Sequence, residues 1–466
     1  MKYLSTRGGA PAVGFADVLL RGLAPDGGLY APAEWPPLDA DMRRRAVAAP
    51  YAETVADVLG LFAGGSFAPE TLRAAAEAVQ ASFSHAAVTP LVQLEPDLWL
   101  LELFHGPTAA FKDLAMQLIG PLTQAALAER GERLLLLTAT SGDTGAAAVR
   151  AFADAPNVDL VVFHPLDRVS RVQRLQMTTV DAANVLNVGV QGDFDDCQRL
   201  VKALLADEDL RGGSLVSSVN SINWGRLCGQ IPYFVRAAEA LAGPGRPVSF
   251  VVPTGNFGDA FAGWAARRIG APIGRLVAAV NANDSLAQAL DQGRYSRADT
   301  LATASVSMDV QAPSNFERLV YEAGGRDAAL TSDLFARYAR EGAVELPQNL
   351  LSALRREVSA ARFDDAQTAE AIAHAWRAYG RVICPHTAVA LAAARELDRS
   401  EGPVVVLATA HPAKFPEFVA DALGFARPEP EAFTRLRDRP ERILSIAAEL
   451  ADAKAAVLEL RASRAA

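Results

Sequence analysis

The chain has 466 residues, 50% of them hydrophobic and 21% charged, which is enough to bury two or three domain cores. Its formal net charge of −9 argues against a nucleic-acid binder, which would carry a basic stripe, but leaves room for a small anion held by local dipoles and a few basic groups. No uncharged apolar run of about 18 residues occurs, so no membrane-spanning helix is expected.

The first segment, Met1-Lys2-Tyr3-Leu4-Ser5-Thr6-Arg7, lacks the apolar stretch of a secretory signal. Cys197, Cys228 and Cys384 are odd in number and far apart, and they form neither a CxxC nor a metal spacing. A cytoplasmic protein without a metal site is the expectation. Residues 1–85 read as a separate, mostly helical domain. A turn-rich stretch with Pro25-Asp26-Gly27-Gly28 is followed by apolar residues at helical spacing from Tyr51 to Phe83.

From about residue 90, strands and helices alternate. Strands are expected at 133–138, 159–165, 185–190, 248–253, 276–280 and 404–409. Helices are expected at 114–130, 195–206, 224–241 and 260–269. Fully apolar strands separated by helices predict a parallel α/β sheet covered on both faces. Residues 325–380 read as helical. The charged stretch from 428 to 466 reads as a peripheral helical extension, which leaves 86–427 as the α/β domain.

Ligands of open α/β sheets bind beyond the carboxyl ends of the strands. Four loops there, and one lysine ahead of a helix, have unusual composition. Lys112 follows a Gly106-Pro107 turn and an aromatic residue, Phe111, a setting in which an aldehyde cofactor can be held as a Schiff base. Thr140-Ser141-Gly142-Asp143-Thr144-Gly145 can bring backbone N–H groups to an anion at a helix N-terminus, although helix capping by Asp143 or Thr144 explains it about as well. Pro253-Thr254-Gly255-Asn256-Phe257-Gly258-Asp259 makes a tight anion nest that is neither a Walker A loop nor a GxGxxG. Asn220, Ser221 and Arg226 can clamp a second phosphate through the forked donors of Arg, or can be a plain helix cap with a solvated Arg. Thr409, His411 and Lys414 arrive together after the last strand.

Taken in order, the motifs GLAPDGGLYAP (22–32), HGPTAAFKD (105–113), TSGDTG (140–145), NSINWGR (220–226), PTGNFGD (253–259), SMDV with PSNFERL (307–319) and ATAHPAKFPE (408–417) resemble the threonine synthase family over nearly the whole chain. The resemblance implies a pyridoxal-phosphate enzyme of fold type II. Two three-layer subdomains, each on a parallel sheet, would follow a mostly helical N-terminal domain. Lys112 resembles the Schiff-base lysine. Gly255, Asn256, Phe257, Gly258 and Asp259 resemble the cofactor phosphate loop. Thr409 resembles the hydroxyl facing the pyridine nitrogen, and Asp143 the residue near the cofactor 3′-oxygen. Ser141, Thr144, Asn220, Ser221 and Arg226 resemble the binders of substrate carboxylate and phosphate, without a division between the two groups. Ser314, Asn315 and Phe316 are expected to line the active site. One departure stands out: Cys384-Pro385-His386-Thr387-Ala388 has Cys where the family pattern leads us to expect Asp.

The implied reaction is the conversion of O-phospho-L-homoserine and water to L-threonine and phosphate, by γ-elimination and β-addition. Protons leave Cα and Cβ, phosphate leaves Cγ, and water adds at Cβ, with Lys112 as the proton shuttle. A neutral Thr409 at the ring nitrogen moderates the electron sink. The nearest alternative is a threonine or serine dehydratase, which needs no second phosphate clamp; a silent scaffold is a second, and a nucleotide-binding module a third that lacks its loops. Oligomeric state, monomer or homodimer, is not legible.

Overall fold

The computed structural model describes residues 1–166, 168–211 and 214–465. Among these residues two large sheets form the frame. One runs in the order Ser359–Arg362, Ile273–Val280, Val248–Pro253, Val404–Ala408, Leu98–Glu102 and Leu91–Glu95; all pairs are parallel except the last. The other runs Leu444–Ala447, Val185–Gln191, Val158–Pro165, Leu134–Ala139 and Leu215–Ser217, all parallel.

The expected double-sided covering follows from the strand alternation. Leu135, Leu137, Val161 and Phe163 point into an outer core with Cys197, Leu200 and Leu204. Leu134, Leu136, Leu160 and Val162 point the other way, into a core between the two sheets. The first sheet repeats the pattern. Phe250, Val252, Val405 and Leu407 face this shared core, while Val251, Val404 and Val406 face a separate one with Val389 and Leu391. Each such side chain contributes about 1.5–3 kcal/mol by leaving water, so a charge at Val406 would be expected to unfold the layer.

Three differences from the sequence expectation have local causes. The stretch 224–241 is two helices, Trp224–Cys228 and Ile231–Leu241. Pro232 has no N–H to continue the first one, so it sits in the first turn of the second. The segment 325–380 is not wholly helical: Ala343–Glu345 pairs with Arg294–Ser296, and Ser359–Arg362 forms the edge of the first sheet. The C-terminal stretch is not merely a peripheral helix either. Leu444–Ala447 adds a parallel strand beside Val185–Gln191, and the helix Leu450–Ala465 buries Ala453 and Val457 in the outer core of that sheet.

At the N-terminal end, Tyr3–Ser5 pairs antiparallel with Tyr30–Pro32 ahead of three helices, Ala40–Ala48, Tyr51–Ala63 and Pro69–Ser82. The Asp26 turn is a knot: its carboxylate accepts from the Ser5 hydroxyl and from the N–H groups of Gly9 and Gly28. Trp35 and Phe62 pack edge-on to Trp224, so this region shares its core with the helix that carries Arg226. No described helix is long and apolar enough to cross a membrane.

Candidate active site

The strand ends of both sheets converge on one cavity. The lysine loop enters first. The Asp113 carboxylate accepts from the Thr108 N–H at 2.8 Å and from its hydroxyl at 2.7 Å. Gly106 lies so close to Asp113 that a Cβ there would come within 2.6 Å of it, which explains the glycine. Burial pushes the Asp113 carboxyl up to about 6, against the Thr108 bonds. The Phe111 N–H donates to the Thr409 carbonyl at 2.8 Å, and Ala110 bridges Ala410. The loop is thereby stitched to the end of strand Val404–Ala408. Lys112 opens the helix Lys112–Arg130 with 12% of its side chain accessible in the cavity wall.

Asp143 begins the helix Asp143–Phe152 and faces Lys112, with Oδ2 3.6 Å from Nζ. Its Oδ1 accepts from Gln173 Nε2 at 2.9 Å and from Lys414 Nζ at 2.6 Å. Burial alone would raise this carboxyl, but the charges of Lys414 and Lys112 outweigh it and hold the group far below the usual range. Burial lowers the Lys112 ammonium; Asp143 opposes this, and Arg226 and Lys414 reinforce it.

Two sets of backbone donors point into the same space. Phe257 adopts φ +61°, the left-handed region, and no side chain caps the helix Gly258–Arg268 that follows. The N–H groups of Gly255 through Ala260 therefore have no acceptor among the described residues. Gly255 is required by contact, since a Cβ there would lie 2.5 Å from the Ser307 carbonyl oxygen. At the other sheet, Thr140 Oγ1 takes the N–H groups of Gly142 and Gly145 at 2.9 Å. Those of Ser141, Asp143 and Thr144 stay free among the described residues.

Arg226 is buried in the wall. It donates to the Val219 carbonyl at 2.9 Å, and its Nε has no partner. No described carboxylate pairs with it, and burial pushes its pKa down to about 10. An unpaired buried guanidinium is costly unless an anion joins it. Asp259 accepts from the Tyr233 hydroxyl, leaves Oδ2 unpartnered, and is pushed up to about 7 by burial. These features fit a phosphate-bearing aldehyde: one accessible amine, one cradle of unused N–H groups, and one buried cation in reserve for a further anion.

All the residues to which the family resemblance gives a role lie in this wall except Ser314, Asn315 and Phe316. Those three brace the loops from behind. Asn315 Nδ2 donates to the carbonyls of Ser221 and Asn256 at 3.2 and 3.1 Å, Ser314 donates to Asn256 Oδ1 at 3.4 Å, and Phe316 meets Phe257 edge-on. Asn220 is in the wall, but its amide is largely committed: Oδ1 accepts from Thr138 and Ser218, and Nδ2 donates to the Ala139 carbonyl.

Two neighbours were not singled out for a role. His386 lines the cavity, accepts from the Ser307 N–H at 3.1 Å through Nε2, and is held neutral by burial, with its pKa down to about 4. Lys414 sits behind Asp143. Cys384 takes the N-cap of the helix Pro385–Glu396, with Sγ accepting from the Thr387 N–H at 3.4 Å and lying 3.8 Å from His386 Nδ1. A capping thiol thus stands where an Asp was expected.

Three family descriptions match consecutive parts of the chain: threonine synthase N terminus over 2–80, pyridoxal-phosphate dependent enzyme over 83–346, and threonine synthase, C-terminal, over 387–457. A threonine synthase of Pseudomonas aeruginosa is 44% identical over 98% of both chains. One of Corynebacterium glutamicum is 39% identical over 95% of both. A crystal structure of a pyridoxal-phosphate-bound threonine synthase from Brucella melitensis superposes with a TM-score of 0.95 at 44% identity, covering 100% of both chains. The yeast threonine synthase structure gives 0.91 at 32% identity, covering 99% of each. This chain belongs to the threonine synthase family of pyridoxal-phosphate-dependent enzymes.

Proposed function

We propose that this protein converts O-phospho-L-homoserine and water to L-threonine and phosphate with pyridoxal 5′-phosphate, as a cytoplasmic enzyme of threonine biosynthesis. The observation that carries the reading is the joining, in one cavity, of the accessible Lys112 amine, the unused N–H groups of Gly255 to Ala260 and the uncompensated Arg226.

Lys112 holds the cofactor aldehyde and moves the protons at Cα and Cβ of the substrate. Burial keeps its amine below the usual lysine range, which suits a base that must give and take protons near neutrality. The donors of Gly255, Asn256, Phe257, Gly258 and Asp259 hold the cofactor phosphate at the positive end of the helix Gly258–Arg268. Thr409, in the cavity wall, would offer a neutral hydroxyl to the cofactor ring nitrogen, and Asp143 would stand by its 3′-oxygen. When bound, pyridoxal phosphate supplies the electron sink for carbanion chemistry at Cα and Cβ. Ser141 and Thr144, just before and at the N-terminus of the helix Asp143–Phe152 where N–H groups are free, hold the substrate carboxylate. Ser221 and Arg226 hold the substrate phosphate, and the phosphate released from Cγ remains paired with Arg226. Asn220 mainly keeps that loop against the end of strand Leu134–Ala139. Ser314, Asn315 and Phe316 support the phosphate loops.

The test is incubation of the purified protein with phosphohomoserine. Equal amounts of threonine and inorganic phosphate are expected. Formation of 2-oxobutanoate from threonine, with no phosphate release, would instead identify a dehydratase.

A further inference from the structure

Lys112 is not the only lysine at Asp143. Lys414 has no exposed side-chain area, and its Nζ contacts Asp143 Oδ1 at 2.6 Å and the Thr108 carbonyl at 2.8 Å. It is not part of the cavity wall, so it touches neither substrate nor cofactor. Asp143 Oδ1 is also taken by Gln173 at 2.9 Å, which leaves only Oδ2 toward Lys112, at 3.6 Å. Two cations therefore share one carboxylate, and the closer of the two is the one outside the cavity.

We propose that Lys414 is a positioning residue of the lysine site: by taking Asp143 as its own counter-ion, it keeps the Lys112 amine available as nucleophile and base. The inference rests on the reading of Lys112 as the cofactor lysine. Without Lys414, a buried Asp143 carboxylate would have Lys112 as its nearest cation, and an amine held as an ammonium ion beside a carboxylate can neither attack an aldehyde nor accept a proton. The contact with Thr108 adds rigidity, because Thr108 also holds Asp113 and thus the loop that carries Lys112. The charged and titratable groups around Lys112 are Asp143, Lys414, Arg226, His386 and Asp259. His386 is neutral above its depressed pKa. Arg226 repels the ammonium in the same sense as Lys414, but from the cavity side, where an incoming anion can offset it. Lys414 acts in every ligand state.

The experiment measures Lys112 itself. Full-length protein freed of cofactor is labelled with a trace of acetic anhydride across a pH series, and the Lys112 peptide is quantified by mass spectrometry. K414M removes the charge and keeps the length of the stem. K414Q removes the charge but keeps a donor for the Thr108 carbonyl, so it serves if K414M does not fold. The pH midpoint of Lys112 reactivity is expected to rise by about one unit, roughly a tenfold loss of free amine at neutral pH. The acid limb of kcat of the cofactor-loaded enzyme, where the bound substrate has released the Lys112 amine, should move the same way. A folded variant whose Lys112 midpoint is unchanged or lower overturns the proposal, as does loss of the fold in both variants, which would make Lys414 a folding residue only. Failure of the cofactor-lysine reading shows separately, as retained threonine formation in K112A.

Discussion

The Phe111 N–H donates to the Thr409 carbonyl at 2.8 Å, so the lysine and the hydroxyl expected on opposite sides of the cofactor ring hang from one backbone link. Lys112 follows Phe111 directly, and Thr409 directly follows the strand Val404–Ala408. Their separation is set by main chain rather than by side-chain packing, which preorganises the site before any ligand arrives.

Substituting Lys112 by Ala should abolish both turnover and the visible absorbance of lysine-bound cofactor, while leaving the melting temperature within a few degrees of the parent. Absorbance spectra after dialysis against cofactor, together with threonine detection, decide it. A K112A protein that still makes threonine would remove Lys112 from the mechanism.

R226A should raise KM for phosphohomoserine by about ten- to a hundredfold, the range for losing a charge-assisted hydrogen-bond pair worth about 1.5–3 kcal/mol. Its pyridoxal-phosphate affinity, measured by fluorescence titration, should change by less than threefold. If cofactor affinity falls and KM does not, Arg226 serves the cofactor phosphate instead. The protein need not lose stability, because the guanidinium is buried without a carboxylate partner and its removal also lifts a desolvation cost.

Gly255 and Gly60 separate the two uses of glycine. A Cβ at Gly255 would lie 2.5 Å from the Ser307 carbonyl oxygen, so G255A must push the 307–308 segment away or distort the donor loop. Overpacking of this kind costs about 1–3 kcal/mol, and here it should appear as a loss of cofactor affinity of about five- to 150-fold. Gly60 lies inside the helix Tyr51–Ala63 with nothing within 4 Å of a new Cβ. G60A should therefore stabilise the fold by about 0.5–1 kcal/mol and leave the kinetics unchanged, read by denaturant unfolding and steady-state assays.

The difference between what the sequence showed and what it hid is physical. Strands such as Leu134–Ala139 and Val404–Ala408 are buried on both faces, and a continuous apolar run is the only pattern that allows this. Edge strands such as Ser359–Arg362 and Leu444–Ala447 bury little, so no periodicity marks them. Loops with unused backbone N–H groups were legible, because glycine and small residues at strand ends are what such loops require. Lys414 and His386 lay within recognised motifs, yet their partners, Asp143 and Ser307, are distant in sequence, and no local pattern encodes that meeting. Asn315 and Phe316 lie behind the cavity wall, where Asn315 donates to the carbonyls of Ser221 and Asn256 and Phe316 meets Phe257, contacts that no local pattern marks.

His386 predicts an acid-sensitive term. Burial lowers its pKa from 6.5 to about 4, so the unfolded chain binds this proton first as the pH falls. Stability from the neutral ring is complete above about 6.5 and is lost on acidification through that window, by up to about 3 kcal/mol. Asp113 and Asp259 act in the opposite sense, because their raised values, about 6 and about 7, favour the folded state at low pH and are overtaken as pH rises. A single unfolding curve mixes these terms, but a difference isolates one. The gap in unfolding free energy between wild type and H386Q should change by about 2–3 kcal/mol between pH 7 and pH 4.5, with wild type losing ground in acid. A constant gap would show that His386 does not titrate in this range.

Cys384 gives the complementary test. Its sulfur lies 3.8 Å from His386 Nδ1 and caps the helix through the Thr387 N–H, so C384D places a carboxylate at both. An Asp suits a helix N-cap and attracts a protonated imidazole. The His386 pKa should therefore rise from its depressed value toward the ordinary one. Protonation of Nε2 removes the acceptor for the Ser307 N–H and loosens the segment that abuts Gly255. The acid limb of cofactor binding should accordingly move to higher pH in C384D by about one unit, whereas C384S, which caps without charge, should leave it in place. Cofactor affinity measured across pH 5 to 8 for the two variants distinguishes a charge effect on His386 from a capping effect on the helix. Equal curves for both would mean that the sulfur communicates with the site only through the fold.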